Sequence, residues 1–431
     1  MGRGAWNSEP GTRNPEHKYL NSFDMDQKKK GFSDLLSSGH YMVQEEMLEV
    51  AKGKRNLTIG IPRENAFLEN RIALVPDAVG LLVQNGHRVI IETDAGKAAH
   101  FPDIEYSTLG GEIVYQAQEV YKSDLILKVA PLSLEEIEMM GSKQTILSSL
   151  NLPSLSDEYF KRLIAKKVTA LAFEYLKDKD GTFPVIRAMS EIAGNTSILL
   201  AAEYMSNCEF GRGKMLGGFS GISPTEVVIL GAGTVGEFAA RAAIGMGAFV
   251  KVFDNSIYKL RRLQNNLNAR IYTSILQPRI LLKSLMNADV VIGAVHSASG
   301  RTPCMVSEDM VRQMKPGAVI IDVSIDQGGC FETSHVTDHK NPVYQVFGVT
   351  HYCVPNIASK VPHTASYALS NFLAPIMLKV GEEGGVEGML RTDFGIRQGT
   401  YLFNGILTNR YLSNHFRLPY QDLNLLMAAF H

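Results

Sequence analysis

The sequence predicts an α/β protein made of two domains, each with a mostly parallel sheet. Apolar, strand-like runs alternate with segments of helical period along most of the chain, the pattern typical of parallel sheets covered by helices. A long helical segment at 190–206 interrupts the alternation, which then starts again. A second long helical segment, at 365–381, is placed to carry the chain back to the first domain. Two such crossings create a cleft between the domains, where ligands commonly bind.

The first predicted domain opens with a β-α-β unit. The run 57–62 is typical of a buried strand, the segment 76–86 of a helix ended by a glycine, and the run 87–93 of a second strand. Further elements are strands at 124–129, 145–150 and 168–175 and a helix at 156–167.

The second predicted domain repeats this pattern after the long helix. A strand at 226–230, a loop and helix at 231–247 and a strand at 249–253 form another β-α-β unit, and two more apolar runs follow at 288–295 and 318–325. The predicted boundaries are 57–190 together with 356–431 for the first domain and 191–355 for the second.

Residues 1–56 form a predicted N-terminal extension that is partly disordered. The first forty positions are rich in Gly, Asn, Ser, Lys and Asp and have no sustained apolar period. Such a segment cannot bury enough surface to offset the entropy of ordering it. A short helix is predicted at 41–52.

The composition excludes several classes of protein. Of the 431 residues, 45% are apolar and 20% are charged, as in an ordinary globular chain. The 43 Lys and Arg against 44 Asp and Glu give a formal charge of −1, so no global field attracts nucleic acid or an anionic membrane. Four scattered cysteines indicate no disulfide framework, and no apolar run has the length of a membrane span. We therefore expect a cytoplasmic protein with a small-molecule partner.

The sharpest local motif is a glycine-rich loop, Gly-Ala-Gly-Thr-Val-Gly at 231–236, between a predicted strand and a predicted helix. In a dinucleotide-binding unit the first glycine permits a tight turn, the second lets the backbone approach a pyrophosphate, and the third lets the helix pack on the strand. The helix N-terminus adds free N–H groups and the positive end of its dipole. The residues predicted to bind the dinucleotide in this Rossmann-like unit are Gly231, Gly233, Thr234, Val235 and Gly236.

Asp254 ends the next strand, at about the distance from the loop at which an acidic residue hydrogen-bonds the adenosine ribose. Its charge would repel a 2′-phosphate, which favours NAD over NADP as the cofactor. Lys259, Arg261 and Arg262 follow closely and could reach such a phosphate, so the sequence leaves NADP open.

Six blocks of the chain, between about 57 and 385, resemble the alanine dehydrogenase family, which is related to the nucleotide-binding part of proton-translocating transhydrogenase. One of them, IDQGGCFE, resembles the dehydrogenase branch more than the transhydrogenase branch. The resemblance implies NAD-linked, reversible oxidative deamination of L-alanine to pyruvate and ammonia, two Rossmann-like domains with a cleft between them, and a homohexamer. The blocks are 59–76, 125–131, 187–195, 227–241, 315–332 and 351–356.

The resemblance also implies roles for single residues. Arg71 matches the family's arginine for the substrate carboxylate, Lys128 its substrate-contacting lysine and Asp326 its active-site aspartate. The other matches line the cofactor, at Met189 and Ser190, and the substrate cleft, at Asn356.

One position departs from the family pattern. The usual catalytic histidine precedes a leucine at a strand end, and this chain has Asn151 there. Asparagine forms hydrogen bonds but exchanges no proton near neutral pH. Three interpretations follow: Lys128 and Asp326 share the proton transfer, the substrate is another small 2-amino or 2-oxo acid, or the protein binds NAD(H) without catalysis.

The matched side chains suit the implied chemistry. The planar guanidinium of Arg71 fits a carboxylate. Lys128 ends an apolar strand and is expected to stabilise negative charge on the substrate oxygen or to donate a proton, while Asp326 is expected to hold the amine or activate water.

The cysteines and histidines do not predict a metal site. The spacing of Cys330, His335 and His339 superficially resembles a zinc site, but no second cysteine pair accompanies them and a loop is expected there. His363 is an alternative replacement for the missing histidine, although its expected place is the surface.

Overall fold

Two mostly parallel sheets, each flanked by helices, make up the computed structural model, which describes residues 55–65, 69–150, 155–297 and 300–429. The α/β class with two Rossmann-like units is therefore confirmed. The predicted helix at 41–52, nearly all of the N-terminal extension, and Asn151 lie outside the described residues.

The strands are numbered along the chain. They are β1 Thr58–Ile61, β2 Arg88–Glu92, β3 Glu112–Val114, β4 Leu125–Leu127, β5 Thr145–Ser148, β6 Thr169–Ala172, β7 Glu226–Leu230, β8 Phe249–Phe253, β9 Tyr272–Ser274, β10 Val290–Gly293, β11 Val319–Asp322, β12 Val343–Val346, β13 Val349–Tyr352, β14 Thr400–Phe403 and β15 Ile406–Leu407.

The helices that cover the sheets follow the same numbering. They are α1 Pro76–Gln84, α2 Asp103–Thr108, α3 Ala117–Val120, α4 Leu134–Met139, α5 Asp157–Ala165, α6 Pro184–Ser206, α7 Thr234–Gly245, α8 Ile257–Leu267, α9 Pro278–Leu285, α10 Glu308–Arg312, α11 Pro362–Glu382, α12 Val386–Thr392, α13 Phe394–Arg397, α14 Arg410–Phe416 and α15 Leu423–Ala429. None of these described helices is long and apolar enough to cross a membrane.

The first sheet has the strand order β15-β14-β6-β5-β4-β1-β2-β3. Strands β1 to β6 pair in parallel, whereas β14 pairs antiparallel with β6 and β15 antiparallel with β14. The C-terminal strands thus extend the sheet that the N-terminal strands begin. Helix α11 packs its apolar side chains into the same core, so the chain returns to this sheet after completing the second one.

The second sheet has the order β12-β13-β11-β10-β7-β8-β9, with β12 as its antiparallel member. All four residues of the central strand β10 are buried, and the strand pairs in parallel with β7 on one side and β11 on the other. Parallel strands covered on both faces read as continuous apolar runs, which is why the sequence pattern identified these strands. Their carboxyl ends meet at one edge of the sheet, where sites in α/β folds form.

Serines from the C-terminal part of the chain fix the irregular segment 70–75, between β1 and α1. Three backbone N–H groups of this buried segment donate to serine hydroxyls at 2.7–2.9 Å. Because the segment has no sheet or helix partners of its own, these bonds satisfy its backbone and set its path. The pairs are Asn70 with Ser359, Ile72 with Ser366, and Val75 with Ser370.

Replacing Ser366 by alanine should therefore destabilise the protein. The buried N–H of Ile72 would lose its acceptor, at a cost of about 1–3 kcal/mol in the free energy of unfolding. Chemical denaturation measures the effect. As a control, Ser107→Ala removes an exposed hydroxyl that donates to Ile104 O, and a change of about 0.5 kcal/mol or less is expected. Equal losses in the two variants would contradict the role of Ser366.

Candidate active site

A buried ion pair between Arg71 and Glu69 forms the centre of the candidate site. Arg71 donates from Nε to Glu69 Oε1 at 2.8 Å and from Nη2 to Glu69 Oε2 at 2.7 Å, and its side chain is 8% exposed. Burial alone would raise the pKa of Glu69, but the charge and hydrogen bonds of Arg71 outweigh burial and hold that pKa below its ordinary value. Glu69 therefore stays ionised, and the bidentate contact fixes the plane of the guanidinium.

The remaining nitrogen of this guanidinium, Nη1, faces helix α6. Arg71 Nη1 lies 3.1 Å from the Met189 sulfur, a weak acceptor. Ser190 follows Met189 on the same helix, and both residues are partly buried. Of these two predicted cofactor residues, the structure thus brings Met189 against the predicted substrate arginine.

Asn356 connects the ion pair to the second sheet. Its Nδ2 donates to Glu69 Oε2 at 2.6 Å, and its backbone N–H donates to Asp326 Oδ1 at 2.9 Å. Asn356 adopts a left-handed conformation with φ of 56°, which asparagine tolerates better than most residues. One asparagine thereby joins Arg71, Glu69 and Asp326 into a single polar cluster.

The Asp326 carboxylate, which accepts the backbone N–H of Asn356, is accessible to solvent. Its side chain is reached by solvent, yet the surrounding protein displaces much of the bulk water, and this burial raises the pKa of Asp326. The Asn356 N–H and the charge of Arg71 act in the opposite direction, while Asp322 adds to the increase. The structure thus places the three predicted residues Arg71, Asp326 and Asn356 together.

Asp322 shapes the loop that carries Asp326. Its Oδ1 accepts the Ser324 N–H at 3.1 Å, and its Oδ2 accepts the Cys330 N–H at 3.0 Å and the Ser334 hydroxyl at 2.7 Å. The carboxylate is 1% exposed, and burial raises its pKa in spite of these bonds. Sequence analysis did not identify this residue, because an aspartate at a strand end also occurs in ordinary turns.

Lys128 lies in a second buried cluster, at the carboxyl end of β4. Its ammonium contacts Glu64 Oε2 at 2.6 Å and Glu136 Oε1 at 3.3 Å, and its side chain is 3% exposed. Burial lowers the pKa of Lys128, but the two carboxylates reverse this and raise it. Glu64 also accepts the Val129 N–H at 2.6 Å, and burial raises the pKa of Glu64 although Lys128 opposes the change. Lys128 is thus an ammonium enclosed by two carboxylates, and the substrate contact that the resemblance implied for it stays a prediction.

The glycine-rich loop has the geometry that its sequence predicted. Gly231 has a φ of 110°, and a Cβ there would collide with Ala294 O. A Cβ at Gly236 would collide with the carbonyl oxygen of Gly231. At Gly233, by contrast, a Cβ would meet no protein atom within 4 Å. Turn geometry and packing account for the first and third glycines, and the open space at the second is where a pyrophosphate would approach.

Asp254 lies beside this loop at the end of β8. Its Oδ2 accepts the Ala232 N–H at 2.8 Å and its Oδ1 accepts the Ser256 N–H at 2.7 Å. Arg262 donates from Nη2 to Ala232 O at 3.4 Å. The partly exposed members of the loop, at the start of α7, are Gly233, Thr234 and Val235, and the first N–H groups of a helix have no partner within the helix.

The remaining sequence candidates are Asn151, Cys330 and three histidines, His335, His339 and His363. Asn151 is outside the described residues, so its role stays a prediction. His363 is exposed and stacks on Phe101, with ring centroids 4.6 Å apart. His335 stacks on Tyr344 at 3.6 Å. Within the part of the chain that the structure describes, no group of three or more His, Cys, Asp and Glu side chains is placed to hold a metal ion.

Known proteins resemble this chain over most of its length. The family described as Alanine dehydrogenase/PNT matches with its N-terminal domain at residues 60–193 and its C-terminal domain at residues 197–410. An alanine dehydrogenase from Methanococcus maripaludis is 37% identical over 84% of this chain and 98% of its own length. One from Mycolicibacterium smegmatis is 36% identical over 86% of this chain and 100% of its own length.

Solved structures give the same result for the fold. An L-alanine dehydrogenase superposes with a TM-score of 0.78 at 35% identity, covering 84% of this chain and 99% of that chain. A transhydrogenase from Sinorhizobium meliloti superposes with a TM-score of 0.69 at 21% identity, covering 82% of this chain and 99% of that chain, which shows a shared fold.

Replacing Lys128 by methionine should cost about 3–5 kcal/mol in the free energy of unfolding, because it leaves the buried Glu64 carboxylate without its cation. Since the pKa of Glu64 is raised in the folded state, the loss should grow as the pH rises through that pKa and shrink in acid. Denaturation at several pH values measures both effects. The control, Lys161→Met, removes an exposed pair with Asp157 and should cost about 1 kcal/mol or less. A pH-independent loss would contradict this account.

Proposed function

This chain belongs to the alanine dehydrogenase/PNT family of NAD(P)-dependent dehydrogenases and transhydrogenases, and we propose that it catalyses the NAD-dependent, reversible oxidative deamination of L-alanine. The reaction converts L-alanine, NAD and water to pyruvate, ammonium, NADH and a proton. The observation that carries the proposal is the Arg71 guanidinium, held in one plane by Glu69 and joined through Asn356 to the accessible carboxylate of Asp326.

The second domain supplies the residues for the cofactor. The open space at Gly233 and the N–H groups of Thr234 and Val235 at the start of α7 suit a pyrophosphate. Asp254 is assigned to the adenosine ribose, and its charge favours NAD over NADP. When bound, the nicotinamide supplies the hydride acceptor. Met189 and Ser190 are assigned to the wall of the cofactor site.

Arg71 is assigned to the carboxylate of the substrate. Nε and one N–H of Nη2 are used by Glu69, whereas the contact of Nη1 among the described residues is the weak one with the Met189 sulfur. A carboxylate oxygen is a much stronger acceptor than a thioether, so a bound acid would take over Nη1. The substrate would then be held by its carboxylate with the reacting carbon directed toward the second domain.

Asp326 is assigned to proton transfer. The amine of alanine must lose a proton before hydride leaves the α-carbon, and water must then add to the resulting iminium. The Asn356 N–H holds Oδ1, which leaves Oδ2 for the amine or the water. A raised pKa brings the carboxyl closer to neutral pH, where a general acid or base is most effective. General acid–base catalysis contributes about 100- to 10,000-fold to a rate.

Lys128 is assigned to the substrate contact and proton transfer that the family resemblance implies, and also to the support of the site. Two carboxylates hold its ammonium inside the first domain. Its charge neutralises Glu64, whose field also reaches Arg71. The homohexamer and the cytoplasmic location implied above stay predictions from the sequence.

A second candidate function follows from Asn151. Because a residue without an exchangeable proton stands where the family usually has its histidine, a different small 2-amino or 2-oxo acid is the alternative substrate. A nucleotide-binding protein without catalysis is the second alternative.

The appearance of NADH at alkaline pH with L-alanine tests the proposal. Alanine should give the highest kcat/KM in a panel of small amino acids, with NAD used in preference to NADP. Turnover of another amino acid but not of alanine would support the alternative substrate. Tight NADH binding without turnover of any acid would contradict catalysis altogether.

Substitution of Arg71 should affect the acid far more than the nucleotide. In Arg71→Lys the positive charge stays and the fork geometry is lost, so the KM for alanine should rise about 100-fold while the KM for NAD stays within about twofold. Arg187→Lys, at an exposed arginine of α6 that pairs with Glu191, is the control and should change neither constant. Equal increases in both KM values for the Arg71 variant would remove Arg71 from the carboxylate site.

A further inference from the structure

Glu136, on the first turn of helix α4, contacts the buried Lys128 ammonium, and the reaction above gives this carboxylate no role. Its Oε1 lies 3.3 Å from Lys128 Nζ, and the second partner of the ammonium, Glu64 Oε2, lies at 2.6 Å. The three side chains differ in their access to solvent: that of Lys128 is 3% exposed, that of Glu64 6% and that of Glu136 20%. Of the three, Glu136 is thus the one that solvent reaches most.

A capping box fixes the Glu136 carboxylate at the start of α4. Ser133 N donates to Glu136 Oε2 at 2.6 Å, and Glu136 N donates to the Ser133 hydroxyl at 3.1 Å. These reciprocal bonds hold one carboxylate oxygen on the backbone, while the other oxygen contacts Lys128. The position of Glu136 beside the ammonium is therefore set by the end of the helix.

The amination of pyruvate, the reverse of the proposed deamination, consumes a proton. As ammonia adds to the carbonyl carbon, the C–N bond forms, the C=O π bond breaks, and the oxygen takes a proton from the Lys128 ammonium in the proton-transfer role assigned above. Lys128 is then a neutral amine that needs a proton before the next turnover. Glu64 is enclosed together with Lys128, whereas Glu136 contacts both the amine and solvent.

The ionisable groups around this contact favour a charged lysine. Glu64 and Glu136 raise the pKa of Lys128, although burial lowers it. The field of Glu136 also reaches Tyr121 and Tyr159, and it adds to the increase that burial causes in the pKa of both phenols. Both tyrosines therefore stay neutral, and a neutral Lys128 amine is the stronger base beside Glu136 and accepts a proton from its carboxyl group.

We propose that Glu136 is a positioning residue for proton transfer: it holds the Lys128 ammonium from the solvent side and returns the proton that Lys128 gives to the substrate. In each turnover the Glu136 carboxyl gives its proton to the neutral Lys128 amine and then takes one from hydronium or a dissolved acid. The inference rests on the proposed function, since it requires a 2-oxo acid that accepts a proton from Lys128. It supplies a proton path to a site in which Asn151 stands at the usual histidine position.

Steady-state amination of pyruvate with NADH and ammonium, at low buffer concentration, tests this path. E136Q keeps the capping box, because a glutamine oxygen also accepts the Ser133 N–H, but its amide has no proton to give near neutral pH. Its kcat should fall about tenfold with the KM of pyruvate within about twofold of the wild type, and added imidazolium should restore most of the lost rate.

E135Q is the matched control, because Glu135 is an exposed carboxylate in the same helical turn. It should behave as the wild type at every buffer concentration. A wild-type kcat for E136Q at low buffer concentration, or a loss that added imidazolium does not restore, would overturn the proton path.

A second measurement does not depend on turnover. The rate at which a small acylating reagent modifies Lys128 in the intact protein, located by peptide mass spectrometry, rises with the neutral fraction of the amine, so its pH midpoint reports the pKa of Lys128. E136Q should lower this midpoint, because it removes a negative charge that favours the ammonium, whereas E135Q should not. An unchanged midpoint in folded E136Q protein would overturn the coupling of Glu136 to Lys128. If the wild type does not turn over pyruvate, the proposed function is contradicted, and the labelling alone decides whether Glu136 acts on Lys128.

Discussion

The site depends on a guanidinium that is buried without losing its charge. Arg71 is nearly enclosed, and taking an isolated cation out of water would be costly. The bidentate contact with Glu69 offsets that cost and also fixes the plane in which the remaining N–H groups can meet a ligand. Asn356 satisfies a further lone pair of Glu69, so both oxygens of that carboxylate are hydrogen-bonded. The direction of the free N–H groups is therefore a property of the folded chain.

Contacts from both sheets restrict the position of this pair. The serines of the C-terminal part hold the segment on which Arg71 lies, and the Lys128 cluster holds the strand end next to it. On the other sheet, Asp322 closes the loop that presents Asp326. These contacts join parts of the chain that are far apart in sequence, as Asn356 and Glu69 are, at a separation of 287 positions. An arrangement of this kind suits the closely positioned groups that hydride transfer requires.

The sequence predicted the central strands and the glycine loop because their signals are local. Apolar runs such as 226–230 and 318–325 are buried on both faces, so composition alone identifies them. The strands that were not predicted, such as Glu112–Val114 and Tyr272–Ser274, lie at the sheet edges, where three half-exposed residues give no periodic signal. Helix α6 begins at Pro184, earlier than the predicted 190, because a proline suits the first turn of a helix.

The sequence predicted some of the site residues and missed others. Arg71, Asp326 and Asn356 were found through the family resemblance, and the structure brings them together. Glu69 and Glu64 were not found, because a carboxylate in a loop near a strand end is most often solvated and its partner cannot be identified from spacing. The prediction for Lys128 used the strand end on which it lies, but sequence analysis did not show the two carboxylates that surround it.

The central claim is that Glu69 acts on the substrate through Arg71. A double-mutant cycle on the Kd of pyruvate, in NADH-loaded protein, tests this most directly by comparing the wild type with E69Q, R71Q and the doubly substituted variant. The account predicts that E69Q weakens pyruvate binding when Arg71 is present and adds nothing when Arg71 is replaced. Losses that simply add in the doubly substituted protein would contradict it, because Glu69 and Arg71 would then act independently.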